Sequence, residues 1–191
     1  MRSFAGIGRI AGALLFGLLF GLRPGSLAAG PLEDGLEAYS ARRYSDAAAM
    51  LTPLAEKGDP TAQVHVGLLH FHGLGVPESD ATAFKWFSRA AEQRSPEAMF
   101  RLGNMYLFGH GVPTTEPDPD VRAAQWYFQA ARMGHAESQY SLGLLFLAGK
   151  GVQQNDAEAM GWIRRAAAQD FAAAQRFLGI VRAPRDKPQK R

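Results

Sequence analysis

At 191 residues, 47% hydrophobic and 20% charged, the chain has the composition of one ordinary globular domain, not of a disordered or fibrous chain. It contains no cysteine, which excludes a thiol nucleophile, disulfide bonds and attachment to a membrane through a lipidated cysteine. The formal charge of +3 is concentrated at the ends. Three arginines fall within residues 1–28, and five bases against one acid within residues 182–191, leaving 13 bases and 17 acids in the body, a net of −4. Phosphate backbones are bound by clustered Lys and Arg, so this balance argues against nucleic-acid recognition.

The chain opens with the three parts of a secretory signal. Arg2 and Arg9 form a positive entry, Ile10 to Leu22 is uncharged and apolar, and Arg23-Pro24-Gly25-Ser26-Leu27-Ala28 breaks the helix and ends in small residues. The apolar run would rise only about 20 Å as a helix, short of the roughly 30 Å hydrocarbon core. The expectation is a signal peptide over residues 1–28, cleaved after Ala28, and an exported mature protein. Membrane contact would then arise only through this segment, if it stays uncleaved.

Three segments of the body repeat one another. Each has a glycine (Gly67, Gly103, Gly143), a Gly-x-Gly (Gly73 to Gly75, Gly109 to Gly111, Gly149 to Gly151) and a valine (Val76, Val112, Val152). Each continues with an aspartate (Asp80, Asp120, Asp156), an alanine (Ala83, Ala123, Ala159), a tryptophan (Trp86, Trp126, Trp162) and an Ala-Ala pair. The spacing predicts two short helices per unit. The first ends at the leading glycine, which is free to adopt positive φ, and the second starts with the aspartate as its N-cap. Small residues let the two helices approach while the indole fills the space between them. One such hairpin cannot bury its apolar face alone, so stacked units form an all-α solenoid. The expected organisation is a degenerate hairpin at 31–58, with Pro53 inside its second helix, and repeats at 59–94, 95–134 and 135–171. The middle repeat carries a loop insertion over Pro113 to Asp120. A capping helix over 172–183 and a basic, disordered tail over 184–191 complete the chain.

The order Ala, Leu-Gly, aromatic, Gly-x-Gly-Val, Asp, Ala, Trp, Ala-Ala resembles the Sel-one-like repeat, a branch of the tetratricopeptide class. The resemblance covers about residues 31 to 181 and implies a right-handed α/α solenoid. It departs at Arg94 and Asp170, which stand where Gly58 and Gly134 close the second helix elsewhere, at Ser138 in place of alanine, and at His70 in place of an aromatic. It also implies a bacterial envelope protein, placed by its export in the periplasm, that binds other proteins. Some cysteine-rich members are linked to penicillin-related chemistry, an analogy weakened by the missing cysteines and by the lack of a Ser-x-x-Lys motif in the mature body.

No catalytic, cofactor or metal site is expected. Of the five histidines only His65 and His72 share a helix face, without an acid at ligand spacing. The Gly-x-Gly pairs follow helices, not strands, and read as structural turns rather than a phosphate cradle. The better candidate is a face of the first helices, opposite the small core residues at 100° per residue, which by resemblance lines a concave groove. Its residues are Val64, Leu68, Phe71 and His72, then Phe100, Arg101, Asn104 and Phe108, then Tyr140 and Leu144, a mostly apolar set suited to a hydrophobic peptide or amphipathic helix. Burial against adjacent helices is the alternative use of the same residues, and the acidic loop Pro113 to Asp120 is a second candidate surface. The function read from the sequence is a non-catalytic protein-interaction scaffold. A hydrolase acting on cell-wall material and a purely structural spacer are the alternatives.

Overall fold

Side chains at the ends of each helix dictate where the chain turns. In the computed structural model, which describes residues 30–112, 115 and 118–179, the first helices are α1 (Pro31–Ser40), α3 (Pro60–His72), α5 (Pro96–Phe108) and α7 (Ala136–Ala148). They alternate with the second helices α2 (Tyr44–Glu56), α4 (Asp80–Glu92), α6 (Pro119–Arg132) and α8 (Asp156–Ala168), and a short α9 (Ala172–Phe177) follows. The expected signal segment, half of the Pro113 to Asp120 insertion, the end of the expected capping helix from residue 180 and the tail lie outside the described residues. Each helix packs on the one before and the one after it, so the architecture is a right-handed solenoid of helical hairpins.

The first helices α3, α5 and α7 are capped by Asp59, Ser95 and His135, whose side chains accept from the backbone N–H three residues on. They stop at Gly73, Gly109 and Gly149, all left-handed. The second helices correct the sequence expectation. Ser79, Asp118 and Asn155 provide the caps, because the capping residue must sit outside the helix in extended backbone. Asp80, Asp120 and Asp156 already lie in the first turn, where the helix dipole favours their charge. Freed from capping, Asp80 pairs with His110 at 3.2 Å and Asp120 with Lys150 at 3.3 Å, tying α4 and α6 to the turn of the following unit.

The space filler of each hairpin also differs from expectation. A Cβ on Gly67, Gly103 or Gly143 would lie 2.5–2.6 Å from Phe87, Tyr127 or Ile163. The residue after each tryptophan therefore occupies the glycine notch, and Phe87, Tyr127 and Ile163 are at most 1% exposed. Trp86 and Trp126 sit half-buried at the seams between hairpins. One residue is a 100° rotation on a helix, and only the later position points at the notch.

A ladder of glutamines joins successive units. Gln63, Gln139 and Gln175 donate to the carbonyls of Ala55, Ala131 and Ala167 at 3.0–3.2 Å. Gln93 and Gln169 in turn donate to Gln63 and Gln139 at 2.8 Å. The middle unit has Met99 and Met133 at the equivalent places.

Arg94 and Asp170 adopt φ of 65° and 63°, the left-handed region taken by Gly58 and Gly134 at the other inter-hairpin turns, and Arg42, in the turn between α1 and α2, adopts 59°. A side chain there costs about 1 kcal/mol relative to glycine. Arg94→Gly is expected to raise the melting temperature by roughly 2–4 °C, measured by circular dichroism. An unchanged or lower value would contradict this account of the turn.

Candidate functional site

The first-helix face holds most of the expected binding residues, with one correction. Val64 is only 5% exposed, packed against Phe87, Met99 and Leu102 where α3 meets the next hairpin, so it belongs to the core and has no surface to offer a partner. Leu68 and Phe71 are half-buried against the same cluster, while His72 is exposed and meets the Phe71 ring edge-on at 5.0 Å. Phe100 is half-buried between Tyr127 and His135, at 5.9 and 5.2 Å between ring centres. Tyr140 rests on Phe171 and Phe177 of the C-terminal cap. Phe108 and Leu144 project outward, 67% and 37% exposed.

Four of these residues converge. Phe71, His72, Arg101 and Asn104, with Phe87 and Met105 behind them, line a narrow cleft of about 60 Å³ between α3 and α5. The Asn104 side chain is held in place by Tyr127, whose hydroxyl donates to Oδ1 at 2.6 Å. Burial pushes the Tyr127 phenol above its ordinary pKa, so it stays a donor at any physiological pH. The Asn104 amino group is left with no partner among the described residues, and its orientation is set. Burial and the neighbouring Tyr44 raise the pKa of the Tyr39 hydroxyl on α1, and the charge of Arg101 on α5 opposes that shift.

A polar cluster fixes the geometry between α5 and α7. Arg101 binds Glu97 through two nitrogens at 2.6 and 2.7 Å, and its guanidinium lies 5.5 Å from the Phe100 ring centre. The His135 Nδ1 accepts the Ser138 backbone N–H at 3.3 Å as the α7 cap, which puts the ring proton on Nε2, 3.1 Å from the Glu97 carboxylate. That hydrogen bond first, and Arg101 with it, hold Glu97 down at about 2 against the burial that would raise it. A depressed carboxylate pKa stabilises the fold above the ordinary value near 4.5, and the contribution is lost as pH falls towards 2. Because Glu97 is partly exposed, solvent screening limits the effect to about 1–2 kcal/mol. Glu97→Gln should therefore melt lower than wild type at neutral pH, with the gap closing between pH 4.5 and 2. A gap independent of pH would contradict it.

The His65 ring meets Tyr39 edge-on at 5.1 Å and its Nδ1 lies 2.9 Å from the Thr61 carbonyl, while His72 lies on Phe71, so the two histidines do not form a joint site. Among the described residues no three His, Asp or Glu side chains are grouped to hold a metal, and no helix is long and apolar enough to cross a membrane. Asp118 and Asp120 of the acidic insertion are engaged in capping α6 and pairing with Lys150. What sequence reading missed is the Glu97–His135 pair, joined across 38 residues, and the Asn104–Tyr127 bond across 23. Neither spacing recurs in the other units, so repetition gave no signal.

The model of the Sel1 repeat matches residues 60–95, 96–135 and 136–171. A Sel1 repeat protein from Oxalobacter formigenes has a similar structure, at a TM-score of 0.72 and 35% identity, over 80% of this chain and 59% of that one. A protective antigen present in uropathogenic Escherichia coli strains, with an SLR fold, matches at a TM-score of 0.69 and 32% identity, over 78% of this chain and 32% of its own. The cysteine-rich protein B of Helicobacter pylori is similar in fold, at a TM-score of 0.51 and 23% identity over 78% of this chain and 96% of its own. No curated protein matches the chain. The chain thus spans about three fifths of the first of these structures and one third of the second.

Proposed function

Because the chain belongs to the Sel1 repeat family, whose members generally serve as scaffolds for protein interaction, we propose that it is a non-catalytic scaffold of the bacterial cell envelope that holds a peptide or helix of a partner protein on its first-helix face. The observation that carries this reading is Asn104. A half-buried amide fixed by Tyr127, with its amino group unclaimed and a cleft of Phe71, His72 and Arg101 around it, is pre-organised to donate to a carbonyl or carboxylate. Exposed Phe108, one turn further along α5, and Leu144 of α7 add apolar surface for side chains. Export supplies the compartment: the basic-apolar-small order of residues 1–28 supports it, and mass spectrometry of the periplasmic protein should find a chain starting at Ala29.

The groove is tested by crosslinking in the periplasm, comparing wild type with Asn104→Ala and with Phe108→Glu/Leu144→Glu. Phe100 and Tyr140 are poor choices for this purpose because their rings pack against the body of the protein. A specific partner should be captured by wild type and reduced at least about tenfold in both variants, each at unchanged melting temperature. Equal capture by folded variants would end the groove reading.

A further inference from the structure

The second-helix side carries a surface that the groove does not use. Two adjoining clefts, of about 560 and 410 Å³, open beside the carboxyl ends of α4, α6 and α8 and share Phe128 and Arg132 as their common wall. The larger has Met99, Met133 and Trp126 among its lining residues, and the smaller has Trp162. The Phe128 and Trp162 rings meet edge-to-face at 6.1 Å, with the Arg132 guanidinium 5.8 Å from the first ring centre and Arg165 4.3 Å from the second.

Two independent features mark this as more than an exposed seam. The first is the break in the glutamine ladder. Gln63 with Gln93, and Gln139 with Gln169, close the equivalent place in neighbouring units by hydrogen bonds, whereas here Met99 is buried in the core and Met133 and Phe128 leave apolar surface 41% and 42% exposed. Both members of the pair change together, so the chain abandons its polar closure in this unit alone of the three. The second is charge. Among the described residues Arg94, Arg132 and Arg165 have no carboxylate within ion-pair distance, and Glu92 is the one acid lining either cleft. Arginines in the last turn complement the helix dipole, but that role needs no aromatic and methionine floor beneath them. Guanidinium groups stacked on rings keep their edges free for bidentate carboxylates, and the concave apolar floor suits a side chain rather than a flat membrane.

We propose that this surface is a second docking site, occupied by an acidic peptide segment that lays a large apolar side chain on the exposed Met133 and Phe128 and directs carboxylates to Arg132 and Arg165. The probe is a short fluorescent peptide of Glu, Asp, Leu and Phe, titrated by anisotropy into the full chain at low salt beside a counterpart in which Lys replaces the acids. The acidic peptide should bind saturably and the basic one should not. Binding should weaken at least about tenfold in Arg132→Glu/Arg165→Glu and also in Met99→Gln/Met133→Gln. The latter restores the pair found in the other units, with a donor for the Ala91 carbonyl, and is expected to fold at least as well as wild type. Phe108→Glu/Leu144→Glu should leave the affinity unchanged, which separates this site from the groove. The proposal fails if neither peptide binds, if the basic one binds as tightly, or if the methionine variant binds like wild type. It fails equally if vesicles of anionic phospholipid bind through the same arginines while the acidic peptide does not.

Discussion

Replacing Gly111 with alanine is expected to destabilise the protein by about 3 kcal/mol or more, whereas alanine at Gly109, two residues earlier in the same turn, should cost only about 1 kcal/mol. Both glycines have positive φ, 75° at Gly109 and 63° at Gly111, so both substitutions carry the left-handed penalty. The surroundings differ. A Cβ on Gly109 meets nothing within 4 Å, while one on Gly111 would sit 2.5 Å from the Asp80 carbonyl carbon and 2.6 Å from its oxygen. Those atoms belong to the first turn of α4, which is tied to the same loop by His110 and cannot retreat as a flexible side chain would. Relief would require separating one hairpin from the next, and nearest-neighbour contacts are what hold a solenoid together. Denaturant unfolding of the two variants gives the comparison directly. Equal costs would show that the approach of the two backbones is loose.

The repeating residues carried most of the fold into view. Glycine at a fixed offset, a Gly-x-Gly and an Ala-Ala pair are demands of backbone geometry and close helix approach, which every hairpin must satisfy, so repetition exposes them. The turns closed by Arg94 and Asp170 were legible for the same reason, because glycine stands at the matching places. The errors fell where neighbouring residues compete for one job. Ser79 and Asp80 are both good capping residues, and only the backbone at Ser79, with φ of −162°, decides between them. Val64 was misplaced by helical periodicity because a solenoid buries two faces of each helix, one against its partner and one against the next hairpin. The candidate sites were less legible still. Asn104 owes its fixed amide to a tyrosine on another helix, and the arginine-aromatic clefts draw on three second helices, so neither arises from a pattern along the chain.

Phe87→Ala is expected to cost about 3–5 kcal/mol, more than Trp86→Ala at about 2 kcal/mol, although the indole is the larger side chain. Phe87 is 1% exposed and its ring occupies the notch left by Gly67, where a Cβ would come within 2.6 Å of it; removing it leaves a void that the paired helices cannot close. Trp86 is half-buried against Ala47, Leu51 and Val66 at the seam with the preceding hairpin, with Arg89 stacked over its other face 4.9 Å away, so its loss opens a surface that water can enter. The reverse order of costs would restore the indole as the filler of the hairpin. A double-mutant cycle sharpens the test. Gly67→Ala overpacks the wild-type notch, but with Phe87→Leu beside it the added methyl meets a smaller neighbour, so the two changes together should cost less than their sum by about 1 kcal/mol. The same cycle made with Trp86→Leu should be additive, because the indole does not face Gly67.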